Sequence, residues 1–384
     1  MKKKIVIIGT AYPFRGGLAS FNERLAEEFQ AQGDEVNLYT FTLQYPNILF
    51  PGKTQYSDSP APTHLNIQQA FSSINPLSWM KTGRQIRDLK PDIVICKFWL
   101  PFMGPCFGTM LKLIKQNKHT KVMSIIDNII PHEKRPGDKV LAQYFANQVD
   151  AFIVMSRSVE TDMKQFTKGQ KVRYIPHPVY DNYGEPMEKA TARQWLKIPT
   201  KGEYILFFGF IRDYKGLDLL IKAMADERIK AHGIKLIVAG EYYGNREAYE
   251  QLIQEQGLTD SLILKTDYIP NEEVKYFFSA ADLVVQPYKS ATQSGISQLC
   301  YHFEKPMVVT NVGGLPEIVK HGKAGYVVPV EVTPIADAIL DFYINKKEAA
   351  YVSVVKEVKK EFAWDTMADG VKDLLFQQEK IVTA

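Results

Sequence analysis

The run GFIRDYKG, Gly209 to Gly216, sets Arg212 and Lys215 three residues apart between two glycines, so both cations can reach one pyrophosphate. It follows an apolar stretch and leads into a helical one, and the N–H groups of a helix start add their dipole to the two charges. Fixed positive charge of this kind stabilises a departing phosphate oxygen without a metal. The plain alternative is a solvated basic turn. Placement between a strand and its helix, where wound parallel sheets bind ligands, favours the anion site.

Other constellations fall at similar places. Arg15-Gly16-Gly17 follows the first apolar run, and a glycine pair there lets backbone N–H groups approach a phosphate or sugar oxygen. The other reading is a tight turn with a Ser20–Glu23 capping box. Ser294-Gly295 opens a helix, and Gly313-Gly314 forms a loop that ends in Pro316 and Glu317. Two glycine-bearing loops at adjacent strand ends can cradle a nucleotide and its sugar. Asp127 closes another apolar run and is followed by His132 and Glu133. Asp127 can bond a sugar hydroxyl or orient an attacking one, and His132 or Glu133 can accept its proton. A proline-containing loop with a helix cap is the alternative. Glu241, after Gly240, is a further candidate ligand contact. His177 has proline on both sides, which suits a hinge better than a catalyst.

No metal or cofactor is expected. Cys96, Cys106 and Cys300 form no CxxC pair and read as reduced thiols, which implies a cytoplasmic protein. No DxD run or cluster of histidines with carboxylates suggests a metal either. A net charge of +4 over 384 residues, with no dense basic tract, argues against nucleic acid. The opening MKKKIVIIGT starts basic, but its apolar run ends at Gly9, short of a signal peptide's. The richest apolar stretch, Phe98 to Ile114, is cut by Pro101, Gly104, Pro105 and Gly108, so no spanning helix is expected. Lys112, Lys115, Lys118 and Lys121 lie near Trp99, Phe102 and Phe107. They read first as a solvated helix face and second as a peripheral contact with anionic lipid at the inner membrane face.

These residues need strands and helices in alternation to hold them. Strands are expected at Lys4 to Ile8, Glu35 to Phe41, Asp92 to Lys97, Lys121 to Ile126, Ala151 to Met155 and Val172 to Ile175. Leu18, Phe21, Leu25 and Phe29 recur at helical spacing and Gly33 ends that helix. After residue 180 the pattern breaks into a linker over 181–199 and then restarts. Strands follow at Tyr204 to Phe208, Lys235 to Ala239, Leu262 to Lys265, Leu283 to Gln286, Met307 to Thr310 and Gly325 to Val328, with a helix at Leu217 to Met224. The expected fold class is α/β, with two tandem Rossmann-like doubly wound parallel-sheet domains, 1–180 and 200–364, facing a cleft. An amphipathic helix over 365–384 carries Met367, Val371, Leu374 and Leu375 behind Trp364. The dinucleotide fingerprint GxGxxG is absent, since Thr10 and Ala11 follow Gly9, which counts against a nicotinamide-dependent oxidoreductase.

The order of Gly-Gly loop, GxxRxxKG loop and GGxPE loop over nearly the whole chain resembles retaining glycosyltransferase family four, of the GT-B fold. The resemblance implies a nucleotide-sugar donor, UDP- or GDP-linked, held by Arg212 and Lys215 through its diphosphate. It places Gly16, Gly17, Gly209, Gly313 and Gly314 close to that donor and packs the last helix on the first domain. It further implies a glycan or lipid-linked acceptor and a cell-surface polysaccharide or lipopolysaccharide as product. Where the family carries two glutamates eight positions apart, this chain has Ala291 and Leu299, and no carboxylate falls between Ala291 and Phe303. Gln293, Ser294 or Gln298 can take their place as uncharged hydrogen-bonding groups. Where many relatives carry a histidine at the sugar, this chain has Asp127. A nucleotide-sugar epimerase or a catalytically weak binding protein on the same fold are the rival readings.

Overall fold

The computed structural model describes residues 2–46, 54–57, 60–131, 135–292 and 294–376. It divides into two units, Met1–Pro178 with Ala363–Ala384, and Val179–Phe362. Each unit has its own buried core.

In the first unit the strands are β1 (Lys4–Ile8), β2 (Glu35–Leu43), β3 (Asn66–Ser72), β4 (Ile93–Phe98), β5 (Lys121–Ile126), β6 (Ala151–Val154) and β7 (Lys171–Tyr174). They line up as β3-β2-β1-β4-β5-β6-β7, every neighbouring pair parallel. The second unit holds β8 (Tyr204–Phe208), β9 (Lys235–Ala239), β10 (Leu262–Lys265), β11 (Leu283–Gln286), β12 (Met307–Thr310) and β13 (Gly325–Val328), in the parallel order β10-β9-β8-β11-β12-β13. Central strands such as β4 and β8 are buried along their whole length, because helices cover both sheet faces. Strand order reverses between β1 and β4 in the first sheet and between β8 and β11 in the second. At such a reversal the flanking loops part and leave a crevice beyond the carboxyl ends of the strands.

The edge strand β3 is absent from the sequence-based expectation. Its residues, NIQQAFS, are polar and buried only at the last two positions, so no apolar run announces it. Within the stretch 181–199, helix Lys189–Trp195 is a packed element of the second unit. Arg193 is buried and donates to Ala280 O at 2.9 Å, Thr200 O at 2.9 Å and Asp282 Oδ1 at 2.9 Å. Lys189 reaches the same carboxylate, Tyr204 N donates to its Oδ2 at 2.7 Å, and Trp195 stacks on Tyr276 at 4.1 Å. Helix Trp364–Phe376 belongs to the first unit. Trp364 lies 5.1 Å from Phe21, and Lys372 pairs with the buried Asp34 at 2.6 Å. Among the described residues no helix is long and apolar enough to cross a membrane.

Asp282 is therefore the anion on which this packing turns. Asp282→Ala leaves the buried Arg193 without its counter-charge, a change that costs about 3–5 kcal/mol. Thermal unfolding of the full chain should show its second unit melting roughly 10 °C lower. An unchanged melting temperature would contradict that role.

Candidate functional site

Two loops of the second unit are locked by backbone contact. Gly216 takes φ +69°, and a Cβ there would lie 2.0 Å from Pro287 O, so the loop after β8 rests directly on the end of β11. Gly313 takes φ +51°, and a Cβ there would lie 1.6 Å from Ala291 O. Gly314 N donates to Thr292 O at 2.9 Å, which joins the loop after β12 to the loop after β11. Ile211 N donates to Glu241 O at 2.9 Å, joining the loops after β8 and β9.

Lys215 is buried within this frame. Its Nζ lies 5.7 Å from the Tyr288 ring, and a Cβ on Gly209 would come within 3.0 Å of it. No ion pair of Lys215 forms among the described residues. Burial, with the Arg212 charge nearby, pushes its ammonium down to about 7. A buried cation with no fixed counter-charge is a place for an anion to bind. Arg212 stays exposed, its guanidinium 4.7 Å from the Tyr243 ring. Ser294 caps helix Gly295–His302 by accepting from Ile296 N at 3.2 Å, and its Oγ lies 3.3 Å from the Tyr288 hydroxyl. Tyr288 thus links Lys215 to the start of that helix, and Gly295 abuts Tyr180. Glu241 is buried beside Gly240, at 4 % exposure. Gln293 lies outside the described residues. At the two positions where glutamates were sought, Ala291 presents its carbonyl to Gly313 and Leu299 is core. Gln298 is buried, with its Oε1 making no hydrogen bond among the described residues.

In the first unit Gly16 takes φ +96° and is itself the cap of helix Gly17–Ala31. The Ser20–Glu23 capping box of the alternative reading does not form, because the helix begins one turn earlier and places both residues inside it. Glu23 instead accepts from Tyr12 N at 2.6 Å and so holds the loop before Gly16 and Gly17. Burial pushes its carboxyl up to about 7. Asp127 directly follows β5, its N–H bonded to Phe98 O at 2.8 Å. Its Oδ1 accepts from Lys97 Nζ at 2.9 Å. Sequence reasoning missed Lys97, although a lysine in the apolar run IVICKF is itself a signal. His177 is buried 5.1 Å from the Phe21 ring. Its Nδ1–H donates to Pro178 O at 2.6 Å, and burial and the Lys97 charge hold the ring neutral, pushed down to about 3. That suits a fixed chain crossing rather than proton transfer. His132 and Glu133 lie outside the described residues.

Residues 15–182 match the family model described as Glycosyltransferase Family 4, and residues 188–356 match that described as Glycosyl transferases group 1. An uncharacterized glycosyltransferase of Methanocaldococcus jannaschii is 26% identical across 95% of this chain and 96% of the relative. Among solved structures, HepE of Anabaena in complex with UDP aligns with a TM-score of 0.75 at 16% identity, covering 97% of this chain and 99% of that one. WaaG, a glycosyltransferase involved in lipopolysaccharide biosynthesis, aligns with a TM-score of 0.69 at 15% identity, covering 97% and 100%. The two units thus have the GT-B architecture. With the two models spanning nearly its full length, the chain belongs to the group 1, family-four glycosyltransferases, enzymes of sugar transfer.

Glu23 generates a pH test of the first loop. Its folded carboxyl titrates near 7 against an ordinary value of 4.5, so the fold binds the proton more tightly than the unfolded chain does. That contribution to stability is full at low pH and falls as pH rises from about 4.5 to 7. Glu23→Gln should match wild type near pH 4.5 and melt progressively higher than it up to pH 7, with a constant gap above. A gap that does not change with pH would exclude this burial effect.

Proposed function

We propose that the chain is a retaining, metal-independent glycosyltransferase that moves a sugar from a UDP- or GDP-sugar to a glycan or lipid-linked acceptor. The expected setting is polysaccharide or lipopolysaccharide synthesis at the cytoplasmic side of a membrane. The observation that carries the reading is Lys215: a buried ammonium with no ion pair among the described residues, in the loop that also presents Arg212, at the strand-order reversal of the second sheet. UDP in HepE and the lipopolysaccharide role of WaaG support the choice of donor and setting.

In the reaction the bond from the anomeric carbon to the β-phosphate oxygen breaks, and its electron pair stays on the phosphate. Arg212 and Lys215 receive that charge, strongest where water is excluded. The backbone N–H of Gly295 and the Gly16–Gly17 loop of the first unit are the proposed contacts to phosphate and sugar oxygens, while Gly314, whose own N–H is taken by Thr292 O, serves by close backbone approach. Gly209 and Gly313 let the backbone approach closely, and Glu241, Gln293 and Ser294 are the proposed polar contacts to the donor. The acceptor hydroxyl oxygen bonds the anomeric carbon from the same face, and its proton passes to the departing phosphate. Asp127 accepts a hydrogen bond from that hydroxyl and orients it, with His132 as a second group able to take its proton. No pair of glycosidase carboxylates is needed. The rival reading, an epimerase or a weak binder, rests on Ala291 and Leu299 standing where carboxylates were sought. Product analysis separates them, since only transfer yields free nucleoside diphosphate together with a glycosylated acceptor.

Calorimetric titration of UDP and GDP tests the site directly. One nucleotide should bind equally well with and without EDTA, and Arg212→Ala/Lys215→Ala should weaken it by about 100-fold or more, as expected for two charge-assisted contacts. Loss of binding in EDTA, or full binding by the double variant, would overturn the assignment. The pH dependence follows from Lys215, which is charged below pH 7 and must take up a proton to bind above it. Affinity should be level near pH 6.5 and fall about tenfold per unit above 7, with about one proton taken up near pH 8.5. Lys215→Met should abolish both the slope and the uptake.

A further inference from the structure

We propose that Lys97 is a positioning residue for sugar transfer, fixing the Asp127 carboxylate at the carboxyl end of β5. The inference rests on the reading of Asp127 as the residue that orients the acceptor hydroxyl.

Three observations carry it. The first is place. β4 and β1 flank the strand-order reversal of the first sheet, with Cys96 in register with Ile8, and Lys97 is the next residue toward the carboxyl end. It therefore stands at the crevice where such a sheet takes its ligand. The second is burial. The Lys97 side chain is 2% exposed and that of Asp127 is 13% exposed, so the carboxylate reaches the surface and the ammonium behind it does not. Lys97 can act on a ligand only through its partner.

The third is the tightness of the clamp. Lys97 Nζ lies 2.9 Å from Asp127 Oδ1 and 3.5 Å from the centre of the Phe21 ring. Phe21 is wedged between His177 and Trp364, each 5.1 Å away. The ammonium is held from one side by the ring face and pulled from the other by the carboxylate. His177 is neutral and gives its Nδ1 proton to Pro178 O. A buried pair of this kind is commonly no more stabilising than apolar residues of the same volume. Stability alone therefore gives no reason for a lysine among Ile93, Val94, Ile95, Cys96 and Phe98. Orientation of an exposed carboxylate does.

The test compares Lys97→Met, Asp127→Asn and the double variant in the full chain. The donors are UDP-glucose and GDP-mannose, and octyl β-glucoside and octyl β-galactoside serve as acceptor probes; hydrolysis by water is the rate read where neither glycoside is used. Both single variants should lose about 10- to 100-fold in kcat, while nucleotide affinity and donor KM stay within about twofold of wild type. The double variant should be no slower than Asp127→Asn and should melt at or above the wild-type temperature. Multiplied losses in the double variant, or activity regained when both charges are removed, would overturn the positioning role. So would a folded Lys97→Met at wild-type rate beside a crippled Asp127→Asn. Wild-type rate in Asp127→Asn would instead remove the reading of Asp127 on which the inference rests.

Discussion

A lysine ammonium taken out of water without a counter-charge is costly and holds its proton less tightly, and the loop after β8 keeps Lys215 buried with no ion pair among the described residues. Backbone contacts hold it there. Gly216 against Pro287 and Gly313 against Ala291 leave no room for side chains, so the loops after β8, β11 and β12 pack backbone to backbone. Tyr288 lies beside the ammonium and contacts the Ser294 cap. A frame of this rigidity pre-aims its charge, which matters because a charge already in place costs no reorganisation as the leaving group departs.

The two units repeat one architectural idea with opposite electrostatics. Each places a buried lysine at the reversal of its strand order, Lys97 at the end of β4 and Lys215 in the loop after β8. Lys97 is closed by Asp127 and presents a carboxylate to the surface, whereas Lys215 is open and presents a cation. The first arrangement suits a hydroxyl, which donates a hydrogen bond, and the second suits a phosphate, which accepts one.

Most strands and the glycine loops were legible because parallel strands buried on both faces read as short apolar runs, and because positive φ and close backbone contact restrict a position to glycine. What escaped was set by tertiary context. The edge strand β3 faces solvent along most of its length and has no apolar run to show. Helix Lys189–Trp195 sits in a Pro- and Gly-containing stretch and is held by one buried carboxylate, Asp282, some ninety residues away. The cap of helix Gly17–Ala31 fell to Gly16 because the chain enters the helix with φ +96°, which outranked the serine–glutamate spacing. Lys97 was passed over because its partner lies thirty positions further on, across the β4–β5 connection.

Ala291 and Leu299 then take on a definite meaning. A glutamate on either would add a negative charge to the loop after β11 or to helix Gly295–His302, and an anion close to a buried ammonium raises its affinity for a proton. Ala291 instead packs its carbonyl on Gly313 and Leu299 is core, so neither position supplies that anion. Neutral groups such as Ser294 and Gln298 can still bond sugar or ribose hydroxyls, but they contribute less than a carboxylate does. In the proposed reaction, donor affinity then rests more heavily on the diphosphate.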